Sequence, residues 1–465
     1  MATSTDSPPT TAGVNTARTL AVGCLAYGMT VVDTTIVNVA LPSIQSDVGA
    51  GVATLQWIVD GYVLVLAALL LSGGALVDRF GAARVLRTGI VVFTVASALC
   101  AAAWSGPALV SARIIQGLGA AMLIPATLAV VAQAFPAAAG RARAIAIVAT
   151  VAGSPQAFGP TLGGGLVDAI GWRSIFLVNL PLGAAALVLA LRGLPGNPPN
   201  RNRTLDLLGQ AIAAGALGAL TYGLIEAGRA GWGSPSVAVA LSVGVALAVA
   251  FVVVEHRVGD PVLPPDLLRS RQLLPYVSTG LLLFITYYGL LFTVNLYFQR
   301  FQGLSALDAG LRLLPAAIPV FVLPLLISRL ARKVGAAVLT GAGLALGVAG
   351  ALSFLLVDEG TSGIITSIAL ILVGSGVGVA TAPQIALVLS ASPPARAGIA
   401  SGLVNVGRQS GLVIGVALLG GLVSGGTRWS VGLHHGAWLA AAASLLGLIV
   451  LVAAALGGRT STRTA

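Results

Sequence analysis

The chain has 465 residues, 57% of them hydrophobic and 8% charged, with a mean hydropathy of +0.98. Ordinary soluble domains carry about 25% charged residues, so a water-soluble globule is excluded. Continuous apolar runs exclude a transmembrane β-barrel as well, whose strands alternate in polarity over about 10 residues.

The first eighteen residues are rich in Ser, Thr and Pro and are expected to be a disordered cytoplasmic N-terminus, without the cleavage site of a signal peptide. Six apolar runs follow at 19–41, 53–76, 84–104, 107–133, 142–167 and 174–192. Two more lie at 207–226 and 235–254, and a last six at 272–297, 307–328, 336–357, 362–390, 397–424 and 434–456. A membrane helix needs about 20 apolar residues, so fourteen spans are predicted.

The net charge of +11 comes from 25 Lys+Arg against 14 Asp+Glu. With the N-terminus in the cytoplasm, eighteen basic residues fall on the cytoplasmic side and five outside, while Arg113 and Arg408 lie within helices. One span more or fewer would collapse this asymmetry. It therefore predicts an even count with both termini cytoplasmic, and it accounts for the basic charge without a nucleic-acid partner.

A repeat is visible. LVDRFGAARVL, with Gly81, follows the second run, and LARKVGAAVLT, with Gly335, follows the tenth, 254 residues later. RARAIAI begins at Arg141 and RAGIASG at Arg396, 255 residues later. A constant offset predicts two six-helix bundles, 19–192 and 271–457, with two inserted helices in the linker 193–270 and a cytoplasmic tail at 458–465. The fold class is an all-α membrane protein, and paired repeats of this kind mark secondary transporters.

The single lysine, Lys333, is followed by Val334 and belongs to no GxxxxGK[ST] loop, so active transport must draw on an ion gradient or a partner subunit. The GSGVG stretch at Gly374 to Gly378 lies inside an apolar run and reads as helix packing. Cys24 and Cys100 fall in apolar runs, and His256, His434 and His435 are placed in loops. No metal site, cofactor or catalytic cluster is expected.

Charges inside helices are the informative residues, because each costs about 2.5–3.5 kcal/mol on insertion scales. Asp33, Asp60 and Arg113 lie about six to eight residues inside the outer ends of the first, second and fourth helices. At about 1.5 Å per residue they share one layer. Arg113 can pair with one carboxylate, leaving the other to carry a proton; a static ion pair is the competing reading. Arg408 lies near mid-depth in the thirteenth helix, with Asn405 one turn earlier and Gln409 beside it, and can meet substrate or a backbone carbonyl. Pro155 and Pro160 interrupt the fifth helix among Gly153, Gly159, Gly163, Gly164 and Gly165, a pattern for a bend and a tight interface.

These segments resemble the major facilitator superfamily, specifically its fourteen-helix drug:proton antiporter branch. GALVDRFGAAR resembles the loop motif GxLxDRxGRxxR at Gly74, Asp78, Arg79, Gly81 and Arg84. LVSARIIQGLGAA resembles the fourth-helix motif at Arg113, Gln116, Gly117 and Gly119, and FGPTLGG the antiporter motif at Gly159, Pro160, Gly163 and Gly164. VDTTIVNVALP resembles the first-helix motif through Asp33, Asn38 and Pro42, and WIVDGYVL, LYFQ and GLRLLP look like antibiotic-resistance exporters of the methylenomycin-resistance type. Two departures are Ala82 and Ala83 in place of basic residues, and Pro155 in place of a glycine.

The resemblance implies proton-coupled export of amphipathic drugs by alternating access, in a bacterial cytoplasmic membrane. Asp33, Asp60, Arg113, Asn38, Asn405 and Arg408 would serve coupling or binding, and the loop and antiporter motifs would serve gating. Asp78 would dock on the N-terminus of the thirteenth helix near Arg396. The expected partners are a small-molecule substrate, protons and the bilayer, with the chain a monomer. The alternative is transport of one physiological solute, such as a metabolite, lipid precursor or siderophore. Acids facing a cavity would favour cations; with two acids, both in one half, neutral lipophilic compounds are equally expected.

Overall fold

The structure is a computed structural model that describes residues 15–195, 206–258, 263, 267, 270–358, 361, 363–393, 396–424 and 429–461. The first bundle comprises α1 (Thr16–Val48), α2 (Val52–Phe80), α3 (Ala82–Ala101), α4 (Gly106–Ala134), α5 (Ala138–Ile170) and α6 (Ser174–Leu177, continued beyond Val178 by Asn179–Leu191). Next come α7 (Leu207–Ala230) and α8 (Pro235–Glu255). The second bundle comprises α9 (Leu273–Leu296), α10 (Ala306–Val334), α11 (Ala336–Ser353), α12 (Gly363–Ser390), α13 (Ala397–Ser424) and α14 (Trp429–Ser461). Among the described residues thirteen helices are long and apolar enough to cross a membrane, and α5, at 33 residues, is the fourteenth long helix.

Helix ends follow capping chemistry rather than the edges of the apolar runs. Asn15 Oδ1 accepts from Arg18 N–H at 2.9 Å to start α1. The helix ends only at Gly49, whose left-handed φ of 64° lets its N–H reach Gln45 O. It thus extends seven residues past the predicted 41, through the polar Ser43, Gln45, Ser46 and Asp47. α14 likewise begins at Trp429, which places His434 and His435 on a helix and not in a loop. His434 Nε2 lies 3.2 Å from Val357 O. The sequence repeat has a conformational counterpart: Gly81 and Gly335 turn the chain between successive helices at φ 87° and 90°, values that favour glycine.

Successive helices alternate in direction. We call the face where α1 begins the near face and the face where it ends the far face; both described termini lie on the near face. Within the bundles α2 and α3 pack on α4, α1 on α5, α9 on α13, and α11 on α12. Two seams join the bundles, α5 against α10 and α2 against α13. The inserted α7 lies against both α2 and α13, where Gly228 meets Gly421. α8 packs on α7 and turns its valines outward, with 11% of its apolar span buried. An apolar helix so little covered by protein is covered by lipid.

Candidate functional site

Two buried charges of the first bundle, Asp33 and Arg113, sit in a closed network. Asp33 and Arg113, 0% and 1% exposed, make a buried ion pair between α1 and α4. Arg113 also donates from Nε to Ile58 O at 2.9 Å and from Nη1 to Gln116 Oε1 at 2.7 Å, and its guanidinium stacks on Tyr62 at 4.2 Å. The other Asp33 oxygen accepts from Gln116 Nε2 at 2.8 Å and Asn179 Nδ2 at 3.2 Å, and both amides also reach Ser97 Oγ. Five helices are thereby tied at one level, and both charges of the pair have their partner. Gln116, already marked by the fourth-helix motif, completes the pair with Asn179 and Ser97, which the sequence did not single out because they are uncharged.

Asp60 is the opposite case. It is wholly buried, and both carboxylate oxygens lack a hydrogen-bond partner among the described residues. Four residues earlier on the same face of α2, Gln56 Nε2 donates to Val416 O and Ala417 O of α13, each at 3.0 Å. Asp60 therefore sits one helical turn from a bond that joins the two bundles. An ionised carboxylate there is uncompensated and costs several kcal/mol, and a bound proton cancels the charge.

Between the bundles, in the near-face half, lies a cavity of about 380 Å³. α1, α2 and α4 line it from one side and α9, α10, α12 and α13 from the other. Arg408 and Asn405 line it with Gln409, Thr34, Phe284 and Tyr288, whereas Asp33, Asp60 and Arg113 do not. Asn38 instead borders a separate void of about 20 Å³ deeper toward the far face. Asn405 Nδ2 donates to Ser401 O at 3.3 Å. Arg408 Nη2 donates to Thr381 O at 2.9 Å and Gln384 Oε1 at 3.0 Å, and its charge faces Phe284 at 5.4 Å.

The far face is sealed. Asn295 Nδ2 donates to Asn38 O, Gln299 Nε2 to Val39 O at 2.9 Å, and Arg300 to Gln45 Oε1. Gln299 and Arg300 sit in a π-helical turn, Tyr297–Phe301, anchored where Tyr297 stacks on Trp429 at 3.7 Å. The antiporter-motif glycines let α5 approach α1 within its own bundle and α10 across the seam. Gly159 faces Thr35 and Gly163 faces Ile36, while Gly164 abuts the backbone of Ala306 and Leu307 at the start of α10. Pro160 offers its carbonyl to the close approach of Gly310. The side chain of Pro155 lies outside the described residues. Asp168, one turn beyond Gly164, was not singled out by the sequence. Its carboxylate accepts the N–H groups of Ala306 at 3.2 Å and Leu307 at 2.9 Å, capping α10 from the other bundle.

On the near face Gly74 has open space around it, Asp78 and Arg84 are exposed, and Arg79 lies over Phe80 at 5.5 Å.

Two repeated bundles of apolar helices around a cavity that is sealed at one face define a multi-pass membrane transporter. The chain belongs to the Major Facilitator Superfamily, whose profile matches residues 23–416. It is 33% identical over 440 residues to the methylenomycin A resistance protein of Bacillus subtilis, covering 94% of each chain. It is 38% identical over 457 residues to the cephamycin export protein CmcT of Amycolatopsis lactamdurans, covering 95% of this chain and 93% of that one. Among solved structures, a peptide transporter POT in complex with sulfate superposes with a TM-score of 0.70 at 17% identity, over 95% of each chain. A likeness at that identity concerns the fold alone.

Proposed function

We propose that the chain is a proton-driven exporter of drug- or antibiotic-like small molecules, working by alternating access in a bacterial cytoplasmic membrane. The observation that carries this reading is a cavity between the bundles, below a sealed face, with a buried unpartnered carboxylate beside the seam. Relatives named for drug resistance and antibiotic export support the direction of transport. The excess of Arg on the near face supports its assignment to the cytoplasm, and the chain then stands inward-facing.

Substrate enters the cavity from the near face. A proton on Asp60 suits the sealed α2–α13 seam. Ionised Asp60 draws water to that level and favours parting at Gln56, which opens the cavity outward. Protonation from the outside lets the seam close again. The Asp33–Arg113 pair holds α1 and α4 together through both states.

The test is accumulation of a fluorescent dye panel in inverted membrane vesicles energised by a pH gradient. Wild type should concentrate a dye and Asp60→Asn should not. Gradient-driven uptake surviving in Asp60→Asn would refute the coupling role. No uptake of any dye by wild type would favour export of a single physiological solute.

A further inference from the structure

Resting on the efflux reading above, we infer that the substrate is an organic anion: one carboxylate or similarly acidic head seated on Arg408, with an apolar ring-bearing body. The sequence carries 14 Asp+Glu. Asp33 is spent on Arg113, and Asp60 is buried without lining the cavity. Asp47, Asp168, Asp308 and Asp358 lie toward the far face, and Asp78, Asp206 and Glu255 toward the near face. Glu226 pairs with Arg229. Asp6, Asp260, Asp266 and Glu359 fall outside the described residues. Among the described residues the cavity wall thus has one charge, and it is positive.

Arg408 is also left with capacity. A guanidinium has five N–H donors in a planar fork. Its hydrogen bonds both leave from Nη2, and its Nε is buried without a partner. Nη1 makes no hydrogen bond among the described residues, so an anionic head in the cavity can take charge-assisted hydrogen bonds from it. Three threonine hydroxyls of the wall do not compete for such a head. Thr30, Thr34 and Thr381 each donate their hydroxyl hydrogen to a carbonyl of their own helix. Each oxygen is left only to accept, so these positions suit O–H or N–H groups on the body and repel a carboxylate. Phe284, Phe321 and Tyr288 supply ring surface, and a cavity of about 380 Å³ holds a drug-sized molecule.

The test separates charge from shape by using three probes with one ring body: 1-naphthylacetate, its neutral amide, and 1-naphthylethylammonium. Binding to the purified full-length protein is measured by equilibrium dialysis. Wild type should bind the anion at least about tenfold tighter than the amide, the size expected of charge-assisted hydrogen bonds, and the ammonium weakest. Arg408→Gln should bring the anion to the level of the amide and leave the amide unchanged. Arg408→Glu should put the ammonium first. Should removal of the arginine unfold the protein, Asn405→Asp supplies a second route: it leaves Arg408 in place, neutralises the cavity and should abolish the preference for the anion. The inference is overturned if the amide or ammonium binds as tightly as the anion, if none of the three binds, or if Arg408→Gln weakens all three equally. An anion that binds but is not accumulated by energised inverted vesicles would sink the efflux reading and leave this inference standing.

Discussion

Gly164→Ala and Gly165→Ala differ by one position and should behave oppositely. An added Cβ on Gly164 would stand 2.5 Å from Leu307 Cα across the far-face seam, where carbon contacts settle at about 3.5–4.0 Å. The neighbour is backbone and cannot rotate away, so α5 and α10 must part by about 1 Å. Overpacking of this kind costs about 1–3 kcal/mol, and a penalty confined to the sealed state shifts its population by about 5- to 150-fold. An added Cβ on Gly165 meets only Leu307 Cδ1, at 3.9 Å, an ordinary contact. The assay is cross-linking of Gln45→Cys with Arg300→Cys by a short bis-maleimide, with Cys24 and Cys100 replaced by alanine. Gly164→Ala should slow the reaction at least about fivefold, and Gly165→Ala should leave it within twofold. Equal rates in the two variants would refute the steric account of the seam.

Other parts of the structure respond measurably as well. Arg113→Leu strands Asp33 as a buried unpaired charge, at a cost of about 3–5 kcal/mol; the melting temperature in detergent should fall, and adding Asp33→Asn should recover part of the loss. Gln56→Leu removes two bonds across the second seam, each worth about 0.5–1.5 kcal/mol net, and should slow the same cross-link without lowering stability as Arg113→Leu does. Asp168→Ala uncaps α10, worth about 1 kcal/mol, and should move the cross-linking rate in the direction of Gly164→Ala but less far.

The spans were legible because hydrocarbon selects apolar side chains, and the repeat because both turns need a glycine of positive φ. The helix ends were less so: Ser43 to Asp47 are polar yet helical, since a helix continues into the interface until a residue such as Gly49 stops it. Asp33 and Arg113 stood out as charges in apolar runs, and they do meet. What the sequence hid was direction. Asp33 faces the interior of its bundle while Thr34, its neighbour, faces the cavity, and no composition distinguishes the two. Asp168 was obscured for another reason, because its partners are backbone N–H groups of a helix 138 residues away, which leave no mark on residue choice.

The same kind of contact governs most of the seam. Gln56, Asn295, Gln299 and Asp168 all bind peptide groups of the opposite bundle, while Arg300 and Gln45 meet side chain to side chain. A peptide group is supplied by nearly any amino acid. Each half can therefore drift without compensating change in the other, so long as the backbones keep their approach. Substrate range can be revised by mutating one bundle while its mate stays untouched, and hybrids that join the first half of this chain to the second half of a relative should still close.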